Sequence, residues 1–319
     1  KVDSDFALGM HIPKRWDKIL DINSCYLMPE VGSKIINFVR DLAKKSKLKP
    51  YDQKTHVGFL RYLALRFGQN TNELMVNIVT AYEDLDALVP FVQMLVDKFP
   101  EVTSVVNNIN TRKADVSFGE REILLHGKPI INERLKDLSF QISANSFFQT
   151  NSLMAEKLFD VILESAELKG DEIVYDLYCG TGSISLFLAK RAKFVYGFDI
   201  IVSSIENAEQ NAMVNNIQNI DFNVANLDSF FYTNRSNKYP NADVVIVDPP
   251  RAGMHKKMTQ YLPKLRAKKI IYVSCNPSTQ ARDAQILKSY NYELEKLSVV
   301  DMFPHTPHVE TVGVFKKSK

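Results

Sequence analysis

The stretch Ile270-Ile271-Tyr272-Val273-Ser274-Cys275-Asn276-Pro277 decides which fold we expect for the second half of this chain. Its four apolar residues in a row are typical of a buried parallel strand. Asn276-Pro277 ends that strand, because proline has no N–H to donate to a ladder. The sequence therefore places Cys275 at the carboxyl end of a strand, where open α/β sheets bind their ligands. Taken alone, such a cysteine is either a nucleophile or a buried structural residue.

The residues around this strand alternate regularly between helical and strand patterns, beginning at Met154. Repeated βα units with short connections predict an α/β fold with a mostly parallel, doubly wound sheet. The apolar spacing predicts helices at 153–165, 183–191, 203–216, 255–265 and 278–289, and strands at 172–177, 194–199, 220–225, 242–247, 269–273, 292–300 and 309–316.

The first part of the chain, residues 1–143, lacks that rhythm and predicts a separate α+β domain, with the second domain over residues 144–319. A run of lysines there is either a solvated helix end or a phosphate-binding surface: Lys44, Lys45, Lys47 and Lys49. Arg61 and Arg66 either reach nucleic-acid phosphates or lie on a solvent-exposed strand face. The predicted elements are strands at 6–12, 18–22, 57–67, 74–80, 102–108 and 122–125 and helices at 30–45 and 85–98.

The composition is that of a globular protein with room for two cores: 319 residues, 45% hydrophobic and 24% charged. No apolar run reaches the length of a membrane span. Three cysteines cannot build a disulfide framework, which predicts a reducing, cytoplasmic setting. The net charge of +3 is too small to indicate nucleic-acid binding by itself. The chain lacks an initiator methionine, which is compatible with a piece of a longer protein.

A glycine-containing turn, Asp176-Leu177-Tyr178-Cys179-Gly180-Thr181-Gly182, follows the first strand of the predicted sheet. Ser185 stands where a dinucleotide-binding fingerprint has its third glycine, which counts against NAD. Asp199 ends the second strand, where a carboxylate either accepts both ribose hydroxyls or caps a helix. Asn226 follows the third strand, within reach of an adenine edge. Together these residues favour a nucleoside without a pyrophosphate, and S-adenosylmethionine fits.

Further polar residues follow the later strands. In Asp248-Pro249-Pro250-Arg251, the prolines stiffen the turn and Asp248 suits the imide N–H of a uracil, which only an acceptor can bind. Arg251 either pairs with a phosphate or supports the loop. Glu310 begins the last strand among apolar residues, where burial would raise the pKa of its carboxyl. His305 and His308 have no third metal ligand nearby, and we interpret them as loop hydrogen-bonding residues.

Five motifs, in this order along the chain, resemble the RNA 5-methyluridine (uracil-C5) methyltransferase family, most closely its 23S ribosomal RNA branch. They are SFFQTN at 146–151, DLYCGTG at 176–182, DPPRAG at 248–253, SCNP at 274–277 and HTPHVET at 305–311. The resemblance covers the whole second half and reaches back to residues 18–25 and 56–66. It implies a Rossmann-like class I methyltransferase domain, S-adenosylmethionine as the cofactor, and an RNA-binding role for residues 1–143.

The resemblance also implies a role for each motif residue. Cys275 would add to C6 of uracil, Glu310 would remove the proton from C5, and Asp248 would orient the base, which has to leave its stack. The expected cofactor-binding residues are Gln149, Tyr178, Gly180, Gly182, Ser183, Asp199, Asn226 and Asp248, and the expected substrate-binding residues are Phe147, Asp248 and Arg251. No metal is expected at this site.

Several alternatives stay open at this point. The substrate is 23S ribosomal RNA or, alternatively, the T-loop of a transfer RNA. An RNA 5-methylcytosine methyltransferase is disfavoured, because those enzymes usually carry a second cysteine where Asp248-Pro249-Pro250 stands. An idle RNA-binding or chaperone protein would have no use for Cys275 or Glu310. Cys25 resembles the last ligand of the family's iron–sulfur cluster, yet the other three ligands are absent from this sequence. Either a longer form of the protein supplies them and holds a 4Fe–4S cluster, or the protein has no cluster. We expect a monomer with no membrane partner.

Overall fold

A computed structural model of the chain describes residues 6–13, 15–114, 116–230 and 239–318. The chain divides into two compact units, which we call unit 1 and unit 2. Unit 1 comprises Lys1–Glu133 with Ser143–Asn145, and unit 2 comprises Arg134–Ile142 with Ser146–Lys319. The division therefore begins earlier in the chain than the change of sequence pattern suggests, and a short segment returns to unit 1.

Unit 1 contains a four-stranded sheet in the order β3-β4-β5-β6, in which β4 and β5 are parallel and the other pairs antiparallel. Two helices pack on this sheet, and their apolar residues form its core, including Ile35, Leu88 and Phe91. The elements are β1 (Gly9–Ile12), β2 (Arg15–Asp21), α1 (Glu30–Lys45), β3 (Leu60–Gly68), β4 (Glu73–Thr80), α2 (Leu85–Lys98), β5 (Ser104–Ile109) and β6 (Arg121–Gly127). Both helices have the predicted bounds, whereas the strand ends differ by a few residues.

Arg61 and Arg66 are internal supports, and both sequence interpretations of them are wrong. The Arg61 guanidinium donates to the carbonyls of Asn110 and Ala114, each at 2.8 Å, and to that of Arg112. Arg66 donates to the carbonyl of Ala144 at 2.9 Å, and burial lowers the pKa of its guanidinium. A guanidinium has five N–H donors in a planar fork, so it can close a loop around several carbonyls at once.

Unit 2 contains the predicted α/β sheet, with seven strands in the order β11-β10-β9-β12-β13-β15-β14. The first five are parallel, and β15 runs antiparallel to both β13 and β14. The elements are α3 (Ser152–Ala166), β9 (Ile173–Leu177), α4 (Ser183–Ala189), β10 (Phe194–Asp199), α5 (Val202–Val214), β11 (Ile220–Val224), α6 (Leu227–Phe230), β12 (Val244–Val247), α7 (Lys256–Tyr261), β13 (Lys269–Ser274), α8 (Pro277–Lys288), β14 (Tyr292–Val300) and β15 (Glu310–Lys317).

Two features of the chain differ from the sequence expectation. The strands β7 (Ile130–Leu135) and β8 (Leu138–Ser143) were not predicted. The buried side of β7 includes the fully buried Glu133, whose carboxylate accepts backbone N–H groups from Gln69 and Asn70, so the apolar alternation is interrupted. The helix predicted at 255–265 ends at Tyr261 and continues as a 3₁₀ turn over Leu262–Leu265, where proline removes a helical donor.

The strand register of unit 2 brings the ends of five strands to one edge of the sheet. Val247 lies beside both Leu177 and Tyr272, and Phe198 lies beside Leu177. Ser274 pairs with Thr311. The residues that come next at this edge are Tyr178, Asp199, Asp248, Cys275 and Glu310, which we call the carboxyl edge of unit 2. Among the described residues, no helix is both long enough and apolar enough to span a membrane.

Candidate active site

The turn after β9 has a backbone that few residues other than glycine adopt easily. Tyr178, Gly180 and Gly182 have φ angles of 67°, 54° and 78°. The two glycines serve different purposes: a Cβ on Gly182 would lie 2.7 Å from the Phe222 ring, whereas a Cβ on Gly180 would meet nothing within 4 Å. Gly182 therefore permits packing, and Gly180 faces open space in which a ligand can approach the backbone.

Asp176, the last polar residue of β9, is fully buried and only half satisfied. The hydroxyl of Ser185 donates to its Oδ2, while Oδ1 has no partner among the described residues. Burial raises the pKa of this carboxyl to about 7, and the negative charges of Asp248 and Asp199 act in the same direction. An unpartnered buried acceptor next to a ligand-binding turn is costly unless a ligand supplies a donor.

Asp199 ends β10 and fixes the glycine turn. Its Oδ2 accepts the N–H of Gly180 at 3.0 Å, and its Oδ1 accepts that of Ile201 at 2.9 Å. The helix α5 is capped by Ile201 without a side-chain hydrogen bond, so the alternative that Asp199 caps this helix is wrong. Each carboxylate oxygen retains acceptor capacity for a further donor. Asn226 follows β11 with an exposed side chain.

The segment 146–151 lies against the glycine turn. The hydroxyl of Thr181 donates to the carbonyl of Phe147 at 3.2 Å, while the Phe147 side chain is 68% exposed. Phe148 is buried and contacts the Phe140 ring at 5.4 Å between centroids. Gln149 is half-buried. The ring of Phe148 therefore anchors the segment, and the neighbouring ring of Phe147 faces solvent.

Asp248 follows β12 and is held by the backbone of β9, because its N–H donates to the carbonyl of Leu177 at 3.3 Å. Among the residues that the structure describes, none forms a hydrogen bond with its carboxylate. The side chain is half-buried, and desolvation raises the pKa of its carboxyl to about 6. The carboxylate is thus an unused acceptor at the rim of the site.

Cys275 follows β13 and is half-buried. Desolvation raises the pKa of its thiol above the ordinary value, and the negative charges of Glu310 and Asp248 raise it further. The positive charge of Arg251 acts in the opposite direction. Because such influences decay with distance, all three charged groups are near enough to the thiol to affect its pKa.

Glu310 begins β15, lies opposite Val300 of β14, and is 7% exposed. Burial raises the pKa of its carboxyl to about 7, as its position among apolar residues predicted, and the charge of Asp248 adds to this shift. A carboxyl with a pKa near neutrality can accept and return a proton at physiological pH.

A set of hydrogen bonds joins the loops that bear these groups. The side-chain amide of Asn276 donates to the carbonyl of Arg251 at 3.1 Å, and its oxygen accepts the Ser278 N–H at the start of α8. Arg251 is hydrogen-bonded to the ring of His308 at 3.2 Å. The Cys275 loop, the Asp248 loop and the segment before Glu310 are therefore connected directly. Arg251 and His308 support the loops, which was one of the two alternatives for Arg251.

The structure brings the sequence-predicted residues to one edge, and it adds residues that the sequence did not reveal. Thr181 and Asn276 belong to quoted motifs, but Phe147 and Arg251, to which they donate, lie 34 and 25 positions away. Asn151 caps α3 and donates to the carbonyl of Met302 at 3.1 Å. Ile200 and Ile201, 60% and 53% exposed beside Asp199, present an apolar surface of the kind that covers a purine ring. Two isoleucines directly after the strand-end aspartate are a signal in the sequence that could have indicated this apolar surface.

The chain has two further cysteines, one in the glycine turn and one in unit 1. Cys179 is buried, and burial raises the pKa of its thiol well above the ordinary value. Cys25 is half-buried in unit 1, and its backbone N–H donates to Ser33 Oγ at 3.1 Å. Within the described part of the chain, no three His, Cys, Asp or Glu side chains form a group that could bind a metal ion.

Known proteins are similar to this chain over most of its length. A family model described as tRNA (uracil-5-)-methyltransferase matches residues 120–319. An uncharacterized RNA methyltransferase of Chlorobaculum tepidum is 40% identical over 328 residues, which cover 100% of this chain and 68% of that protein. One from Listeria innocua is 42% identical and covers 94% of this chain and 66% of its own length. The chain thus spans about two thirds of the length of these relatives.

Solved structures give a consistent result. The tRNA (uracil-54, C5)-methyltransferase of Pyrococcus abyssi, in complex with S-adenosyl-L-homocysteine, is 36% identical, with a TM-score of 0.75 over 95% of this chain and 71% of that one. Trm5b of Pyrococcus abyssi, 16% identical with a TM-score of 0.50, shares the fold alone. The chain therefore belongs to the tRNA (uracil-5-)-methyltransferase family of S-adenosylmethionine-dependent RNA (uracil-C5) methyltransferases.

Proposed function

We propose that this protein methylates C5 of a specific uridine in 23S ribosomal RNA through a covalent bond between Cys275 Sγ and C6 of the base. The observation that carries this proposal is the placement of a thiol, a proton acceptor and an unused carboxylate at the carboxyl edge of unit 2. An RNA-binding protein without catalysis has no need of this set. The protein acts as a cytoplasmic monomer in this proposal.

The residues around the glycine turn fit S-adenosylmethionine. Gly180 leaves open space beside the backbone, and Asp199 retains acceptor capacity for ribose hydroxyls. Asp176 Oδ1 is an acceptor for which the described residues supply no donor. The cofactor supplies an electrophilic methyl group when bound. The other residues that we assign to this pocket are Gln149, Tyr178, Gly182, Ser183, Asn226 and Asp248.

Cys275 begins the reaction, because C5 of uracil is not nucleophilic enough to attack a methyl group. The thiolate adds to C6, the C5–C6 double bond opens, and the negative charge moves to the enolate oxygen at C4. C5, now nucleophilic, would take the methyl group that bound S-adenosylmethionine supplies, with S-adenosylhomocysteine as the leaving group. Asp248 accepts the imide N–H of the base, and Phe147 lies beside the extruded ring. Arg251 favours the thiolate by its charge.

Glu310 completes the reaction after methyl transfer. Its carboxylate removes the proton from C5, the C5–C6 double bond forms again, and the Sγ–C6 bond breaks to regenerate the thiolate. A pKa near 7 lets Glu310 accept this proton and release it to water. The net reaction consumes one methyl donor and releases one proton.

Transfer RNA is the second candidate substrate. The Pyrococcus abyssi enzyme described above is named for uracil 54 of transfer RNA, and it is 36% identical to this chain. The resemblance of the motifs to the 23S branch supports ribosomal RNA. We propose that unit 1 takes part in the choice, because it has exposed lysines that can contact phosphates, among them Lys47, Lys49 and Lys113.

The test is to map 5-methyluridine by mass spectrometry in ribosomal and transfer RNA from cells with and without the gene. We expect one 23S position to lose its methyl group and the transfer RNA to be unchanged. In vitro, short 23S hairpins should accept methyl groups and a T-arm should not. Methylation of the T-arm together with inert ribosomal hairpins would contradict the ribosomal assignment and leave the uracil-C5 chemistry intact.

A further inference from the structure

Unit 1 has a groove at the carboxyl ends of its two parallel strands, β4 and β5. The register from Met75 opposite Ser104 to Thr80 opposite Ile109 brings both strand ends to one edge. The loops that follow them, at 81–84 and 110–114, meet the loop 46–59 that follows α1. Together these loops line a groove of about 680 Å³, which we call the lysine groove.

The walls of the lysine groove are fixed by backbone hydrogen bonds. The carbonyl of Lys49 accepts the N–H groups of Phe59 and Leu60 at 2.9 and 3.0 Å. Ala81 donates to the carbonyl of Phe59 at 2.8 Å, and Asn110 donates to that of Thr80 at 2.8 Å. The groove therefore keeps its shape without a ligand, which lowers the entropy cost of binding.

Three exposed lysines line the groove: Lys47, Lys49 and Lys113. None of them forms an ion pair with a residue that the structure describes. The carboxylate of Asp84, which also lines the groove, accepts the N–H of Ala87 at 3.0 Å and caps α2. This carboxylate offsets the positive end of α2, so the positive charge of the groove comes from the three lysines. The groove is therefore suited to an anionic polymer.

Aromatic side chains give the groove a second property. Tyr82 is 51% exposed, and its ring contacts the Phe59 ring at 4.9 Å between centroids. Tyr51 is covered by the Arg61 guanidinium at 4.3 Å, and its hydroxyl is hydrogen-bonded to His56 at 2.9 Å. Tyr82 thus presents a supported ring to solvent, while Tyr51 belongs to the wall.

We infer that the lysine groove binds a single-stranded segment of RNA, with the three lysines contacting phosphates and Tyr82 stacking on one unpaired base. Lysines beside an exposed aromatic ring suit single strands, because the bases of a duplex are already stacked on each other. An acidic peptide would satisfy the lysines but would leave the tyrosine ring without a partner. The choice of RNA rests on the proposed function, whereas the groove itself does not depend on which RNA is methylated.

The test measures binding of a fluorescently labelled single-stranded oligouridylate to the full chain by anisotropy. The variant Lys47→Ala/Lys49→Ala/Lys113→Ala should bind at least about tenfold more weakly at low salt. Its slope of log affinity against log salt should fall by about 2, at roughly 0.7 per phosphate contact. A matched control with the same charge, Lys34→Ala/Lys128→Ala/Lys169→Ala, removes exposed lysines outside the groove and should bind as the parent does.

Tyr82 is tested separately from the charges. Tyr82→Ala should weaken binding about tenfold without changing the salt slope, since base stacking is not ionic. Tyr82→Phe should bind as the parent does. Titration with S-adenosylmethionine should give parental affinity in every variant, which verifies that unit 2 is folded, and the single variant Lys49→Glu repeats the charge test with one substitution.

Three results would overturn this inference. They are equal loss of affinity in both lysine triples, parental affinity in the groove triple, and displacement of the RNA by polyglutamate as effectively as by unlabelled RNA. The last of these would assign the groove to an acidic polypeptide. If 23S RNA is not methylated while the groove variants still bind oligouridylate weakly, the ribosomal assignment fails and the groove assignment stands.

Discussion

Two edges of parallel strands in this protein have opposite electrostatic character. At the carboxyl edge of unit 2, desolvation raises the pKa of Asp248 and Glu310, as it does for Asp176 within β9. At the corresponding edge of unit 1, the lysines of the groove are exposed to water. Loops at the ends of parallel strands thus form both the proposed catalytic site and the lysine groove. Burial of the charged side chains separates the chemistry proposed for the two. Desolvated groups exchange protons near neutrality, whereas exposed cations exchange counterions.

The largest effect is expected at the buried edge. Cys275→Ala should abolish the covalent adduct with RNA that carries 5-fluorouracil at the target, and turnover should fall on the order of 10⁴-fold or more. Fluorine cannot leave C5 as a proton, so the parent protein stays bound to this RNA. The measurement is gel mobility after denaturation. Cys25→Ala, which changes a half-buried cysteine in unit 1, is the control and should form the adduct normally.

An adduct in Cys275→Ala at the parental yield would move the nucleophile elsewhere. It would also mean that the desolvated carboxylates at this edge do not surround the reacting thiol.

The next effect separates the two halves of the reaction. Glu310→Gln should permit addition and methyl transfer but slow elimination about 10²- to 10⁴-fold, as is typical when a positioned base is lost. A protein–RNA adduct that contains the transferred methyl group should then accumulate on ordinary uridine RNA, and mass spectrometry detects it. Glu293→Gln changes an exposed carboxylate on β14 and should turn over normally. Parental turnover in Glu310→Gln would assign the base to another residue, with His308 as the next candidate.

The sequence predicted the carboxyl edge of unit 2 far better than the lysine groove of unit 1. Apolar runs that end in Asp248 or Cys275 identify strand ends directly, and parallel strands bring such ends together. The function of Arg61 depends on carbonyls about fifty positions later in the chain, which no local pattern shows. The hydrogen bond from Asn276 to the carbonyl of Arg251, which lies earlier in the chain, is likewise shown by no local pattern. The proposed mechanism requires a thiolate at Cys275, whereas burial and the charges of Glu310 and Asp248 raise the pKa of this thiol.

A smaller effect is expected where the buried edge meets the cofactor. Asp199→Asn replaces a carboxylate that accepts the N–H groups of Gly180 and Ile201. An amide has a single acceptor oxygen, so one of these bonds is lost, and binding of S-adenosylmethionine should weaken roughly 10- to 100-fold by about 1.5–3 kcal/mol. Calorimetric titration measures this change. Asp221→Asn, an exposed change on β11, should bind the cofactor normally, and parental affinity in Asp199→Asn would remove Asp199 from the pocket.

The smallest effect tests whether burial of Glu310 at the carboxyl edge of unit 2 lowers the free energy of unfolding. The pKa of Glu310 is about 7 in the folded protein and 4.5 ordinarily, so the folded state binds the proton more tightly than the unfolded state. The contribution of Glu310 to the free energy of unfolding should therefore be greatest below pH 4.5, and this contribution should be lost as pH rises through 7. Above that range the charged carboxylate costs on the order of 2 kcal/mol.

Glu310→Gln removes this cost, because an amide has no proton to lose. We expect its melting temperature to exceed that of the parent by a few degrees at pH 8.5 and to be close to it at pH 5, measured by calorimetry at both values. Glu293→Gln, at an exposed site, should show no such dependence on pH. A variant that melts no later than the parent at pH 8.5 would mean that water reaches the carboxylate freely. The two edges would then differ in charge but not in burial, and the near-neutral proton acceptor that elimination requires would lose its physical basis.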